Sequence, residues 1–212
     1  SLPPVQPLTS ARFDLMTSLA EGDAPAEVLE YGTGALAPPD RVQLGVVPEG
    51  VGPETEPITL VQAGSEVYSN TSDGQWQPIT DGDFLSLHAV LLTRRLLERA
   101  DQASTILKIK DEPVRDTPTT QYQLWFDPST ATAIAADLPG IAAATRDRMA
   151  QAESYKVDVW LDSAGVLRQQ HLTITEAQPA ADGVDLPPTQ TMYLVSYYDL
   201  NQPNIAIAEP GR

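Results

Sequence analysis

Lys156 to Thr175 reads KVDVWLDSAGVLRQQHLTIT. Val157, Val159 and Leu161 alternate with Asp158, Trp160 and Asp162. Side chains along a strand point alternately to opposite faces, so this pattern describes a strand with one apolar face. Asp162-Ser163-Ala164-Gly165 is turn chemistry, and the chain returns from Val166 to Thr175 as a second strand. The stretch therefore predicts a hairpin over 156–175. What its apolar face covers is the question on which function turns.

The same pattern recurs on both sides of this hairpin. Downstream, a loop with Asp182-Gly183 and Pro187-Pro188 leads to a strand from Thr189 to Tyr198. Asp199 to Pro203 turns it, and Ile205 to Ala208 closes the chain. Upstream lie strands over 106–110 and 119–127, then helical pieces over 131–137 and 141–152 that Pro139-Gly140 separates. Nearer the start, strands are predicted over 10–18, 27–37, 41–47 and 58–62. A hairpin over 66–70 and 75–79 turns at Ser72-Asp73-Gly74. Gly32 and Gly34 permit a bulge or sharp curvature in the second strand, and Pro38-Pro39-Asp40 forces a turn after it. Residues 1–9, Pro-rich and poor in apolar side chains, read as an arm or tether ahead of one domain over 10–212.

Asp81 to Arg99 is the clearest helix, with Asp81 or Asp83 as its cap. Phe84, Leu85, Leu87, Val90, Leu91, Leu92, Leu96 and Leu97 wrap more than one stripe, which predicts a helix buried on most sides. Arg94, Arg95, Glu98 and Arg99 gather at its C-terminal end, where cations suit the helix dipole.

The 212 residues carry 13 basic and 29 acidic side chains, a formal charge of -16. That balance argues against nucleic acid and against an anionic membrane surface as the main partner. Cysteine is absent, which excludes disulfides, thiolate metal sites and cysteine nucleophiles. No apolar run approaches the length of a membrane span. The sequence opens on Ser1-Leu2-Pro3-Pro4 with neither an initiating Met nor a signal peptide, and is expected to be a processed or truncated form.

No constellation announces a reaction. Nucleophile elbows, Walker loops, dinucleotide-binding glycine patterns and zincin motifs are all missing. Asp81-Gly82-Asp83 lacks the alternating acids of a calcium loop and reads as a turn and cap. His88 lies in the apolar helix and His171 in a strand, neither with an orienting partner in sequence. The expectation is a non-enzyme without cofactor or metal. What remains is a sheet whose outer face is wet (Gln43, Gln121, Asp158, Arg168) and whose inner face is apolar. An ordinary packed core and a ligand cavity produce this same alternation.

In its order of hairpins, helix and closing strand the chain resembles the LppX/LprG-type lipoproteins, relatives by fold of the lipoprotein carrier LolA. The matching pieces begin with Ala37-Pro38-Pro39-Asp40-Arg41-Val42 and Val61-Gln62-Ala63-Gly64-Ser65-Glu66-Val67-Tyr68, followed by Gly74-Gln75-Trp76. Val157 to Asp162 with Gly165-Val166-Leu167-Arg168 comes next. Tyr198-Asp199-Leu200-Asn201-Gln202-Pro203 with Ile205 and Pro210 completes the series. The chain departs from the family at Val114 to Pro118, where a Val-Asp-Gly-like turn is common, and it lacks the lipobox cysteine.

The resemblance implies an α+β, mainly antiparallel fold: a strongly curved half-barrel sheet with helices covering the concave face. It also implies an extracytoplasmic location in the cell envelope or periplasm, with membrane anchoring as a lipoprotein in the full-length form. The implied function is binding or carriage of a lipid or similar amphiphile by a monomer, with no covalent chemistry. The alternative is a protein-interaction or envelope-stress sensor domain that uses the same fold with a packed core. By alternation, the expected cavity wall is Val42, Leu44, Ile58, Leu60, Val157, Val159 and Leu161 from the sheet. Leu87, Leu91 and Leu92 face them from the helix.

Overall fold

The computed structural model describes residues 2–38, 41–51, 56–64, 66–70, 74–79, 85–138, 141, 143–178 and 186–210. Among these residues, eleven strands form one antiparallel sheet. Six precede the long helix: β1 (Ala11–Glu21), β2 (Glu27–Ala37), β3 (Arg41–Pro48), β4 (Ile58–Ala63), β5 (Glu66–Asn70) and β6 (Trp76–Ile79). Five follow it: β7 (Thr105–Val114), β8 (Thr117–Phe126), β9 (Ala152–Asp162), β10 (Leu167–Glu176) and β11 (Thr189–Tyr198). The order across the sheet is β6-β5-β4-β3-β2-β1-β11-β10-β9-β8-β7. Each half is thus a meander, and the halves join where the first strand pairs with the last. This register runs from Arg12 opposite Tyr198 to Glu21 opposite Thr189.

Because β6 and β7 are the two free edges, the helix between them, α1 (Leu85–Glu98), has to cross the concave face. It packs on β3, β10 and β11. Helices α2 (Pro128–Ala136) and α3 (Ala143–Ala150), between β8 and β9, cover it further, with α2 against α1 and β9. Residues from Leu87 to Thr93 are all buried, as are Leu96 and Leu97. A helix apolar all round is stable here because sheet and helix flank it on different sides. The result is the open half-barrel with helices in its concavity. The expected caps Asp81 and Asp83, and the turns at 39–40 and 71–73, lie outside the described residues.

Alternation sets which residues fill the concavity. Phe13 and Leu15 of β1, Val157 and Val159 of β9, and Val195 and Tyr197 of β11 are buried in one continuous apolar cluster with α1. Close packing over β2 depends on its glycines. A Cβ on Gly34 would lie 2.4 Å from both the Gln43 carbonyl oxygen and Cζ of Phe13, and one on Gly32 would lie 2.8 Å from a Leu44 methyl. The glycines let Phe13 and Leu44 lie over the strand; the bulge in β2 falls at Leu29, which is skipped where Thr17 pairs with Glu30 and Ser18 with Val28.

The outer face departs from the expected wet surface. Asp158, Trp160 and Gln121 are buried, because the β7–β8 hairpin curls back toward the middle of the sheet. Trp160 Nε1 donates to Glu112 Oε1 of β7 at 2.7 Å. At the hairpin tip, Arg115 pairs with Asp14 of β1 and stacks 4.7 Å over the Tyr198 ring of β11. Beneath, Asp158 accepts from Gln121 Nε2 at 3.0 Å and Gln123 Nε2 at 3.1 Å, which compensates its desolvation. His171 lies opposite Asp158 in the register. Its pKa falls below the usual histidine value, because burial outweighs the opposing pull of Asp158 and Lys156 adds to the depression. Arg168 remains half-buried, paired with Asp162.

The other end of the outer face is covered by the C-terminal segment. Ile207 packs on Val61 and Ala37, the Ala208 amide donates to Gln43 Oε1 at 2.9 Å, and Arg41 donates to the Ile207 carbonyl. Strand β7 also runs to Val114, past the predicted end at Lys110. Its second half, Asp111-Glu112-Pro113, lacks apolar alternation because an edge strand carries no buried face there, and an edge tolerates proline.

Candidate ligand site

The N-terminal arm is docked along the body, not a free tether. A polyproline-type chain has three residues per turn, so Leu2, Val5 and Leu8 share one side. All three pack against the main core, with Leu8 buried. The arm is pinned at its base, where the Thr9 amide and hydroxyl both donate to Asn201 Oδ1 at 2.9 and 3.0 Å. Further out, the Gln6 amide donates to the Gly165 carbonyl at 2.9 Å, and Gln6 forms a parallel bridge with Val166. The turn after β9 is shaped to receive it. Gly165 has φ of +79°, and a Cβ there would lie 2.3 Å from the Pro4 carbonyl oxygen.

Between the arm and the body lies a hollow of about 530 Å³. Leu2, Val5 and Leu8 form one wall, Leu97 and Ala100 at the end of α1 another, and Ile106 of β7 with Leu167 of β10 the remainder. Arg94, Glu98 and Asp101 add charge, the last two exposed at the rim. Its size falls within the range of about 300–1,000 Å³ usual for small-molecule sites, and an apolar body with few polar groups is their usual chemistry. Behind Arg94, the Tyr197 hydroxyl donates to Gln170 Oε1 at 2.8 Å. Burial raises the Tyr197 pKa and the Arg94 cation opposes that, so the phenol stays neutral. A second hollow of about 330 Å³ lies across the arm, bounded by Pro3, Pro4 and Gln6, by Thr120 and Tyr122 of β8, and by Leu161 and the β9–β10 turn.

The expected wall residues are placed otherwise. Val42, Leu44, Leu60, Leu87, Leu91, Leu92, Val157 and Val159 are buried in the main cluster, packed against one another, and line neither hollow. Leu161, equally buried, borders the second hollow. Ile58 is 53% exposed, since it opens β4 beyond the reach of α1. It borders a separate depression of about 750 Å³ with Pro57, Thr59, Ser69 and Asn70. Strand parity correctly assigns the concave side, but space depends on what stands opposite. The residues missed, Leu2, Val5, Leu97, Ile106 and Leu167, carried one legible signal: the three-residue spacing of apolar side chains among prolines 3, 4 and 7.

No protein-family model matches this sequence, and no curated protein matches it. Solved structures do. The lipoprotein LppX of Mycobacterium tuberculosis superposes over 95% of this chain and 90% of its own, at 11% identity and a TM-score of 0.54. The chain has an LppX-type fold. LprF of Mycobacterium bovis gives 11% identity over 96% of this chain and 90% of its own, with a TM-score of 0.49. A LolA-superfamily protein of Nitrosomonas europaea gives 10% identity over 95% and 90%, with a TM-score of 0.34. At this identity the likeness to LppX concerns the backbone, and the hollows beside the arm are features of this chain's own side chains.

Proposed function

We propose that this protein binds a lipid or similar amphiphile and carries it without covalent chemistry, at the cell envelope. The observation that carries the reading is the 530 Å³ hollow, apolar in its body and edged by Arg94, Glu98 and Asp101. Each methylene removed from water contributes about 0.8 kcal/mol, so one long acyl chain carries on the order of 10 kcal/mol. A bilayer supplies that already. An apolar hollow of similar quality makes transfer nearly neutral, and polar groups at the rim then select the head. In this reading the functional unit is a monomer, and an N-terminal lipid anchor holds the full-length form to the membrane.

Native mass spectrometry of gently purified protein tests this. The expected result is an adduct that organic extraction removes, and its loss in Ile106→Trp, whose indole fills the hollow while the near-ultraviolet dichroism stays native. An adduct-free wild type that also takes up no cis-parinaric acid, or an Ile106→Trp protein that loads normally, overturns the reading. The close packing around Val42, Leu44, Leu91 and Val159 favours a second reading, a protein-interaction domain with a filled core. A wild type that never loads, together with unfolding of Val159→Trp by overpacking, is its expected signature.

A further inference from the structure

We infer that residues 2–7, hinged at the buried Leu8, form a displaceable strap lying in the amphiphile's path, and that the two hollows are one trough that the strap divides. The inference rests on the amphiphile-binding reading and adds how the site opens.

Three observations lead to it. Pro3 and Gln6 are walls of both hollows, so the arm is the partition between 530 Å³ on one side and 330 Å³ on the other. Behind that partition, Leu97, Ile106 and Leu167 of the first hollow continue toward Tyr122 and Leu161 of the second along neighbouring strands. A segment serving solely as structure would be packed on both flanks, whereas this one has space on each.

The arm's hold is also slight and local. Beyond the buried Leu8 and the Thr9 anchor, residues 2–7 rest on the half-buried Leu2 and Val5 and on the backbone bond from Gln6 to Gly165, while Gln6 itself is exposed. Yet the seat is specific: any side chain at position 165 would collide with the Pro4 carbonyl. A fitted seat with weak attachment describes a part that leaves and returns. Prolines 3, 4 and 7 fix φ before docking, so little backbone entropy is lost on return. The apolar side of the strap, Leu2 and Val5, occupies the trough as an alkyl chain would, and the two compete for it.

The test uses opposite perturbations on the full chain. Because the protein has no cysteine, the double variant Gln6→Cys, Val166→Cys places one pair at a bridge position and allows a lock by oxidation. Leu2→Ser with Val5→Ser instead loosens the strap. Affinity for cis-parinaric acid is read by fluorescence titration, with near-ultraviolet dichroism confirming the fold. The oxidised lock is expected to bind about tenfold more weakly than the same protein reduced, and the loosened variant about tenfold more tightly than wild type, since apparent affinity scales with the open fraction. Equal binding of locked and reduced forms overturns the strap. So does weaker binding by the loosened variant, which marks the arm as a fixed wall. If the cysteine variant fails to fold, the sign of the loosened variant decides. Absence of uptake by every form, wild type included, instead brings down the amphiphile-binding reading and the strap with it.

Discussion

Gly34 shows how far one missing methyl shapes this protein. Its open side faces the Phe13 ring and the Gln43 carbonyl, so alanine there forces two neighbours apart, one of them backbone. Overpacking of this kind costs about 1–3 kcal/mol, and Gly34→Ala is expected near the upper end. Gly45, on the neighbouring strand, is the control. A methyl group placed there would meet nothing closer than Pro57 at 3.6 Å, and Gly45→Ala is expected to be neutral or to gain up to about 1 kcal/mol through the unfolded chain. Urea denaturation of the two variants checks the contrast. By sequence, Gly32 and Gly34 give room for a bulge or sharp curvature, but the bulge falls at Leu29 of the same strand, while the glycines serve close packing. The Phe13 ring that demands the glycine comes from another strand, and no local pattern announces it.

At the scale of elements, the β7–β8 hairpin has the largest consequences for its surroundings. Val114 pairs with Thr117, leaving Arg115 and Asp116 as a two-residue turn with φ of 45° and 62°. Left-handed backbone at both positions matches the twist of the strands, but it is unfavourable for L-residues other than glycine, asparagine and aspartate. Arg115 has a use for its side chain, reaching Asp14 and the Tyr198 ring. Asp116, exposed at the tip, is free to change. Aspartate tolerates this conformation, so Asp116→Gly is expected to change stability by no more than about 0.5 kcal/mol, whereas the β-branched Asp116→Val should lose about 1–2 kcal/mol, read as a lower urea midpoint with an unchanged slope. Alternation made the strands themselves legible. The curl of this hairpin, which buries Trp160 and Asp158, was not legible, because a strand's outward residues look alike whether water or a neighbouring element meets them.

The whole molecule combines a half-barrel with a charge of -16. Carboxylates held in a compact volume repel one another, and dispersing them favours the unfolded chain. Added salt shortens the reach of that repulsion, to about 8 Å at physiological ionic strength. Melting temperature is thus expected to rise when sodium chloride is increased from near zero to a few tenths molar. A calorimetric scan at several salt concentrations checks it, and a flat or falling trend would show that the exposed ion pairs, such as Arg12 with Asp199, outweigh the general repulsion. Architecture at this scale was readable from element order and from the apolar helix, since both have local periods. The location of empty space was not. It arises where the arm, the end of α1 and two strands fail to meet, and that shortfall belongs to no single segment.

The seam between β1 and β11 has a consequence in time. These strands are the first and last of the sheet to leave the ribosome, yet they lie side by side in its middle. Until residues 189–198 emerge, the nascent chain carries two half-sheets, with Phe13 and Leu15 already made and one long edge of β1 still open. Contacts so distant in sequence form slowly, and an open apolar edge invites pairing with other chains. The sheet therefore closes only once its last strand has been made, and whatever holds the growing chain has to shield β1 until its partner arrives.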